Sequence, residues 1–301
     1  MSEIIIGIDG TERGEDAVAF GRRLAAFAGA RIALAHAFPY DDVHGRATSR
    51  AYREALREDS EAMLGALRDR LGLEAATHAL ASTSPARALH ELAEEHGAAL
   101  IIVGSSHTGR ARRVLPGSTG ERLLHGSPCA VAVVPKGYRE SPHGAPRRIG
   151  CGIDGGEEAT SALDGAAELA RALDAKLEVI RAFAPDVALV DAEVVADMQV
   201  AARAHLDQAM QALPPAVDAH SVLVDRDPAD ALVECSHELD LLVIGSRGYG
   251  PLHAVLLGGV SGRVIRDAAC PVIVVPRGAE VPLEALLGAG SATACAASRR
   301  P

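Results

Sequence analysis

The sequence predicts an α/β protein with two tandem domains, each built on a doubly wound parallel sheet of five strands. The first observation is a repeat: the segment at 149–155 echoes the one at 5–10, and the segment at 241–246 echoes the one at 100–105. The offset of about 141 to 145 residues is far above that of solenoid repeats, so each copy should bury its own core. The second observation is that short apolar runs alternate with helical patterns. This order favours parallel strands joined by right-handed helical crossovers.

The first half of copy one shows this alternation clearly. The β-branched run Ile4–Ile8 is too short for a helix and has no polar alternation, which is typical of a strand buried on both faces. A helix is predicted at Glu12–Ala28, because its small and apolar residues recur on one helical face. We then predict a strand at Arg31–Phe38, a long charged helix at Thr48–Leu71 and a strand at Glu74–Ala81.

The second half of copy one continues with two more helix and strand pairs. Serine and proline at 84–85 predict a helix start, with serine as the cap and proline at the first helical position. This helix is expected to end near His96 and to precede a fourth strand at Leu100–Val103. The last helix opens at 117–121, and the fifth strand is predicted at Val131–Val134.

Copy two repeats this plan, which divides the chain into four regions. A Gly- and Pro-containing stretch between the copies predicts a linker, and the Ala-, Gly- and Ser-rich end predicts a mobile tail. The predicted regions are a first domain at 1–137, a linker at 138–147, a second domain at 148–278 and a tail at 279–301.

Composition limits the functional classes. The 301 residues are 48% hydrophobic but only 3% aromatic, so both cores must be built from Ala, Val, Ile and Leu. The formal charge of −10 argues against a protein that binds nucleic acid through its phosphate backbone, since that requires a basic surface. No apolar run approaches the ~18 to 20 residues that a membrane span needs.

The five cysteines show neither zinc spacing nor a disulfide framework. They are interpreted as reduced thiols, and Cys129 and Cys270, just before the fifth strand of each copy, as buried apolar residues. Because the chain starts directly with a strand and shows no signal sequence, a cytoplasmic location is expected.

Candidate ligand groups follow the first and fourth strands of each copy. In a doubly wound sheet the ligand lies beyond the carboxyl ends of the strands, where the strand order reverses. Asp9 and Gly104 should therefore share one rim, and Asp154 and Gly245 the other. Glycines let the backbone approach a phosphate closely, and the amides at a helix start add donors and partial positive charge. This predicts polyphosphate binding without a lysine.

The glycines after the fourth strand have a fixed spacing. In copy two, Gly245 is followed after two residues by Gly248 and after nine more by Gly258, with Gly259 and Ser261 at the start of a helix. This is neither a Walker A loop, which needs Gly-Lys-Ser/Thr, nor the GxGxxG that follows a first strand.

Copy one departs from this spacing at its second glycine. His107 stands in that place, while Gly117, Ser118 and Thr119 complete the pattern. Histidine is among the residues that tolerate a positive φ, so the substitution does not exclude binding.

These residues resemble the universal stress protein family in its tandem two-domain form. In that family Gly-x2-Gly-x9-Gly-[Ser/Thr] after strand four marks members that bind ATP, and an aspartate after strand one lies against the nucleotide. The resemblance covers about residues 3–135 and 148–276. It implies an adenine nucleotide alpha hydrolase-like fold with strand order 3-2-1-4-5. It also implies that the fifth strands of the two copies pair antiparallel, which would form a pseudo-two-fold dimer within one chain.

The resemblance implies ATP, with Mg²⁺ on its phosphates, as the ligand of one or both copies, and no catalytic residue. Beside the residues already named, it places apolar residues at the strand ends in the binding site. They are Ile8, Ala37 and Val103 in copy one, and Ile153, Ala182 and Ile244 in copy two.

Plainer interpretations remain for each motif. Both aspartates could cap the following helix, and the glycines could serve only in turns. Ser118, Thr119 and Ser261 are helix-start hydroxyls under either interpretation.

The leading functional hypothesis is a stress-response sensor that binds ATP and acts on an unidentified regulatory protein, and not an enzyme. A nucleotide-free interaction scaffold and a weak ATPase are the alternatives, and a homodimer of the chain is left open. A phospho-acceptor receiver domain is excluded, because no second acid stands beside Asp9.

Overall fold

The computed structural model describes residues 1–40, 50–105, 119–140, 144–184, 191–246 and 259–287. The chain forms two compact units. The first comprises Met1–Pro142 with Ala279–Val281 and Ala285–Pro301, and the second comprises His143–Gly278 with Pro282–Glu284.

The first unit is a parallel sheet with the strand order β3-β2-β1-β4-β5. This confirms the predicted order 3-2-1-4-5 within the copy. Its elements are β1 (Glu3–Gly7), α1 (Glu12–Ala28), β2 (Arg31–Phe38), α2 (Arg50–Arg70), β3 (Ala75–Ala81), α3 (Pro85–His96), β4 (Leu100–Gly104), α4 (Thr119–Leu123) and β5 (Ala130–Val134).

The second unit repeats the architecture with the order β8-β7-β6-β9-β10, also parallel. Its elements are β6 (Arg148–Ile153), α5 (Glu157–Leu173), β7 (Lys176–Phe183), α6 (Ala192–Ala212), β8 (Ala219–Asp225), α7 (Pro228–Cys235), β9 (Leu241–Ser246), α8 (Val260–Asp267) and β10 (Val272–Pro276). The antiparallel pairing of the fifth strands of the two copies stays a prediction.

Both cores consist of the aliphatic residues that the composition required. In β1 the isoleucines at 4, 5 and 6 are fully buried, as expected for a strand covered on both faces. Cys129 and Cys270 are buried as predicted, and burial raises the pKa of each thiol to about 12. These thiols therefore stay protonated and act as small apolar residues. In the described part of the chain, no helix is long and apolar enough to cross a membrane.

The predicted serine cap of α3 is only partly right. Ser84 occupies the cap position, but its side chain makes no capping hydrogen bond. Instead the hydroxyl of Ser82 accepts from the Ser84 amide at 3.1 Å. In the second unit, Asp227 caps α7 and accepts hydrogen bonds from the amides of Ala229 and Asp230.

The start of the predicted linker is ordered. Residues Tyr138–Glu140 form a short 3₁₀ helix whose Tyr138 is buried. The ring of Tyr138 meets Phe20 of α1 edge to face, with 5.8 Å between ring centroids. Asp16, fully buried on α1, accepts hydrogen bonds from the amides of Gly137 and Arg139, each at 2.9 Å. The turn is thus fixed to α1 by a buried carboxylate.

The beginning of the predicted mobile tail also differs from the expectation. Leu283–Leu287 forms a second 3₁₀ helix with buried leucines. In the second unit, Leu283 lies so close to Gly165 of α5 that a Cβ there would be 2.8 Å from the leucine Cδ2. Burial of leucines explains the order of this segment, because it offsets the lost chain entropy. Residues 288–301 of the predicted tail lie outside the described residues.

Glu284 makes the stability of the second unit depend on pH. Burial, together with the nearby Asp164 and Glu168, raises the pKa of Glu284 above its ordinary value of 4.5, and burial also raises the pKa of Asp164. Arg171 neutralises Glu168, which it contacts at 2.6 Å. A carboxyl group with a raised pKa binds more protons in the folded unit, so stability falls as pH rises above 4.5.

We therefore expect Glu284→Gln to raise the thermal unfolding midpoint at about pH 8 and to change it little near about pH 5. The control is Glu280→Gln, whose side chain is exposed nearby in sequence and should leave the midpoint unchanged at both values. An equal midpoint of Glu284→Gln and the unmodified chain at the higher pH would show that the half-buried charge of Glu284 costs no stability.

Candidate functional site

The carboxyl rim of each sheet brings together the groups predicted from the first and fourth strands. In the first unit, β1 and β4 are hydrogen-bonded neighbours, with Ile6 opposite Ile102, so Asp9 and Gly104 follow on the same rim. In the second unit, β6 and β9 place Asp154 and Gly245 in the same way. The strand order reverses between these neighbours, which is where doubly wound sheets bind ligands.

Asp9 organises the turn that leads into α1. Its Oδ1 accepts hydrogen bonds from the Thr11 amide at 3.0 Å and from the Thr11 hydroxyl at 2.6 Å. Thr11, and not Asp9, is the N-cap residue of α1. Arg13 approaches Oδ2 to 3.4 Å, and the carboxylate remains 49% exposed, so it can still accept from a ligand.

Asp154 performs the same task in the second unit. Its Oδ1 accepts from the amide of Gly156, the N-cap residue of α5, at 2.9 Å. Gly155 between them has φ +87°, a conformation that favours glycine. The aspartates are therefore not the helix caps themselves, but each one accepts a hydrogen bond from the cap residue. Their position at the rim is still compatible with ligand binding.

Gly104 and Gly245 have a packing role that the sequence did not reveal. A Cβ on Gly104 would lie 2.1 Å from the carbonyl oxygen of Arg13 in the first turn of α1. A Cβ on Gly245 would lie 2.6 Å from the carbonyl of Glu158 in α5. In both units the end of the fourth strand therefore touches the backbone at the start of the first helix, and only glycine allows this approach.

In the second unit the last helix begins beside that glycine. Gly259 is the N-cap residue of α8, and no heavy atom lies within 4 Å of the place where its Cβ would be. The hydroxyl of Ser261 donates to the carbonyl of Gly245 at 3.4 Å. Thr119 is the first residue of α4. The other predicted loop residues, His107, Gly117, Ser118, Gly248 and Gly258, lie outside the described residues.

The apolar residues assigned to the site lie at the rim ends of the strands. Ala37 and Ala182 are half-buried, one residue before the ends of β2 and β7. Val103, Ile244 and Ile8 are buried, so they can meet a ligand chiefly through their backbone. Ile153, the last residue of β6, is half-buried.

Beside the aspartates, the structure shows side chains that the sequence analysis missed. In the first unit, His36 Nδ1 and the hydroxyl of Ser60 are 2.7 Å apart. Burial lowers the pKa of His36, and the nearby Asp9 carboxylate partly opposes that shift. In the second unit, Arg181 occupies the same strand position and its Nη1 donates to the carbonyl of Ile153 at 3.3 Å. Only the alignment of the two copies, His-Ala-Phe with Arg-Ala-Phe, could have pointed to this pair.

The rim of the second unit contains an unpaired cationic donor, and the described residues contain no cluster of metal ligands. Across the described ranges, no three His, Cys, Asp or Glu side chains form a group that could hold a metal ion. Arg181 Nε is buried, and no hydrogen-bond partner for it exists among the described residues. Leaving such a donor unpaired inside the protein is costly.

Comparison with known proteins points to one family. The model of the universal stress protein family matches residues 1–135 and again residues 146–276. The chain is similar to a universal stress protein of Mycolicibacterium smegmatis, with 28% identity over 288 residues that cover 90% of this chain and 96% of that protein. A universal stress protein of Mycobacterium tuberculosis is 29% identical over 215 residues, which cover 68% of this chain and 73% of that protein.

A solved structure agrees on the fold. The crystal structure of a universal stress protein from Archaeoglobus fulgidus covers 92% of this chain and 98% of its own, with a TM-score of 0.67 and 20% identity. At this identity the likeness shows a shared fold.

Proposed function

This chain belongs to the universal stress protein family, and from that premise we propose that it binds an adenine nucleotide, ATP with Mg²⁺ on its phosphates, at one or both carboxyl rims. The observation that supports this most directly is the convergence, in both units, of an exposed aspartate and a glycine at the point where the strand order reverses.

Charge suggests how the nucleotide lies. A triphosphate is repelled by Asp9 or Asp154, so these carboxylates suit the hydroxyl and amino donors of the nucleoside. The phosphates then extend toward the end of the fourth strand, where Gly104 or Gly245 lies. In the second unit the start of α8, an eight-residue helix capped by Gly259, offers free amides and partial positive charge there. Mg²⁺ would arrive bound to the phosphates, where it lowers their net charge.

We propose a binding protein and not an enzyme. The His36–Ser60 pair resembles a base beside a nucleophile, but Ser60 is only 2% exposed and cannot reach a substrate. Nucleotide binding would instead change the affinity of the chain for a regulatory protein. This requires that the partner binds the nucleotide-bound and nucleotide-free chains with different affinities.

Calorimetric titration of the full chain with Mg·ATP tests the proposal. Binding is expected, and Asp9→Asn combined with Asp154→Asn should weaken it about tenfold or more, because each change removes a charged acceptor worth roughly 1.5–3 kcal/mol. The matched control is Asp69→Asn, an exposed carboxylate in the last turn of α2, which should leave binding unchanged.

The alternatives predict different results. No heat change with a folded sample at millimolar Mg·ATP would exclude the nucleotide proposal and favour the interaction scaffold. Steady phosphate release by the purified chain would instead establish a weak ATPase.

A further inference from the structure

The two rims differ beside the aspartate at the second residue of the first helix, which is Arg13 in the first unit and Glu158 in the second, and at a residue of the second strand. The sixth residue of β2 is His36 and the sixth residue of β7 is Arg181. The helix residue facing this place also differs: the eleventh residue of the 21-residue helix α2 is Ser60, and the eleventh of the 21-residue α6 is Ala202. Both are buried, so the two positions correspond in the packing as well as in the sequence.

In the first unit this place is polar but already satisfied. The His36 ring and the Ser60 hydroxyl are paired at 2.7 Å. Because burial lowers the pKa of His36, the imidazole is neutral at physiological pH. The pair therefore offers a ligand little charge. One ring nitrogen of His36, Nδ1, is already hydrogen-bonded to Ser60 within the protein.

In the second unit the place is cationic and only partly satisfied. Without a hydroxyl at Ala202, the guanidinium of Arg181 reaches across the end of β6, where Nη1 donates to the carbonyl of Ile153. That carbonyl immediately precedes Asp154. The Nε donor is buried and, in the described part of the chain, has no acceptor. Leaving a buried donor unpaired is costly. Arg181 as a whole is only half-buried, so a small rotation of the guanidinium can bring its donors to a bound acceptor.

A second nitrogen-bearing side chain approaches the same turn. His205 of α6 lies near Gly155, its Nδ1 3.8 Å from the place where a Cβ on that glycine would be. The corresponding Gly10 of the first unit has no heavy atom within 4 Å of that place. The second rim thus has Arg181 and His205 beside its aspartate turn, whereas the first rim has the neutral His36 and Arg13, whose Nε already contacts Asp9 at 3.4 Å and Thr11 at 3.2 Å.

We propose that the second unit is the tighter of the two nucleotide sites and that Arg181 makes it so, by donating from its guanidinium to an acceptor of the bound nucleotide. This inference rests on the proposed function and adds to it an assignment of the sites. A charge-assisted hydrogen bond is worth about twice a neutral one, so the affinities of the two units should differ by about tenfold or more. The full chain then binds two nucleotides in two separate concentration ranges.

The chain contains no tryptophan, which allows each site to be observed alone. Phe38→Trp and Phe183→Trp place one reporter at the last residue of β2 or of β7, next to the respective rim. In fluorescence titrations with Mg·ATP, we expect the Phe183→Trp chain to respond at lower concentration than the Phe38→Trp chain.

A reciprocal exchange then tests the residue itself. Arg181→His with Ala202→Ser, which copies the first unit, should weaken the second site about tenfold and leave the first unchanged. His36→Arg with Ser60→Ala, the matched opposite exchange, should strengthen the first site. Arg181→Gln provides a second, smaller change if the double variant does not fold, and thermal unfolding checks each chain.

The outcomes separate this inference from the proposed function. If neither reporter responds to Mg·ATP and calorimetry shows no heat change, nucleotide binding itself is refuted. If both respond at the same concentration, or if Arg181→Gln leaves the affinity of the second site unchanged, the assignment to Arg181 is wrong while nucleotide binding stands.

Discussion

Asp16→Ala is expected to destabilise the first unit by about 3–5 kcal/mol, because two backbone amides lose a buried, charged acceptor worth roughly 1.5–3 kcal/mol each. The Asp16 carboxylate is fully buried and accepts from two backbone amides as well as from Arg139 Nη1 at 3.3 Å. Removing it leaves the amides of Gly137 and Arg139 without their acceptor. The 3₁₀ helix that follows β5 should then separate from α1.

Denaturant unfolding measures this effect, with the second unit as an internal control. Ser161 is the fifth residue of α5, as Asp16 is of α1, but it is exposed. Ser161→Ala should therefore change the free energy of unfolding by less than about 0.5 kcal/mol. Equal losses for the two variants would show that the carboxylate contributes little and that aromatic packing alone fixes the turn.

The tandem architecture could be predicted from the sequence because local pattern and global fold agree. The Ile4–Ile6 run is buried on both sides, so it lacks polar alternation, and the same pattern recurs at the fourth strand. Helix α1 has the predicted bounds, because its small residues recur at the helical period. The features that reveal the fold are thus local residue patterns, and the same patterns recur in the same order in the second copy.

Features that depend on distant partners were not predictable. Asp16 is separated from Gly137 by 121 residues, so nothing local marks the turn after β5 as ordered. The buried Leu283 stands in a segment whose composition suggests mobility. At the rim, the aspartates could be predicted because they end a repeated motif. The difference between His36 and Arg181 could be interpreted only from the structure, which shows the neighbours of each side chain.

The glycine that ends the fourth strand is the second position with a large expected effect. Gly104→Ala should destabilise the first unit by about 1–3 kcal/mol or more, since overpacking forces backbone to move. The new Cβ would meet the carbonyl oxygen and carbonyl carbon of Arg13 at 2.1 and 2.6 Å, and neither atom can rotate away as a side-chain tip would. The start of α1, and with it the turn that carries Asp9, must shift.

Gly65→Ala is the matched control, because that glycine lies within α2 and has no heavy atom within 4 Å of a built Cβ. It should stabilise the chain by roughly 0.5–1 kcal/mol. The same chemical change, glycine to alanine, is therefore expected to raise the free energy of unfolding at one position and to lower it at the other. Thermal unfolding and Mg·ATP titration of both variants measure the two consequences together. A Gly104→Ala chain with unchanged stability but lost nucleotide binding would show that the glycine serves the ligand directly. Loss of both, in proportion, would show that close packing of α1 on β4 positions the rim.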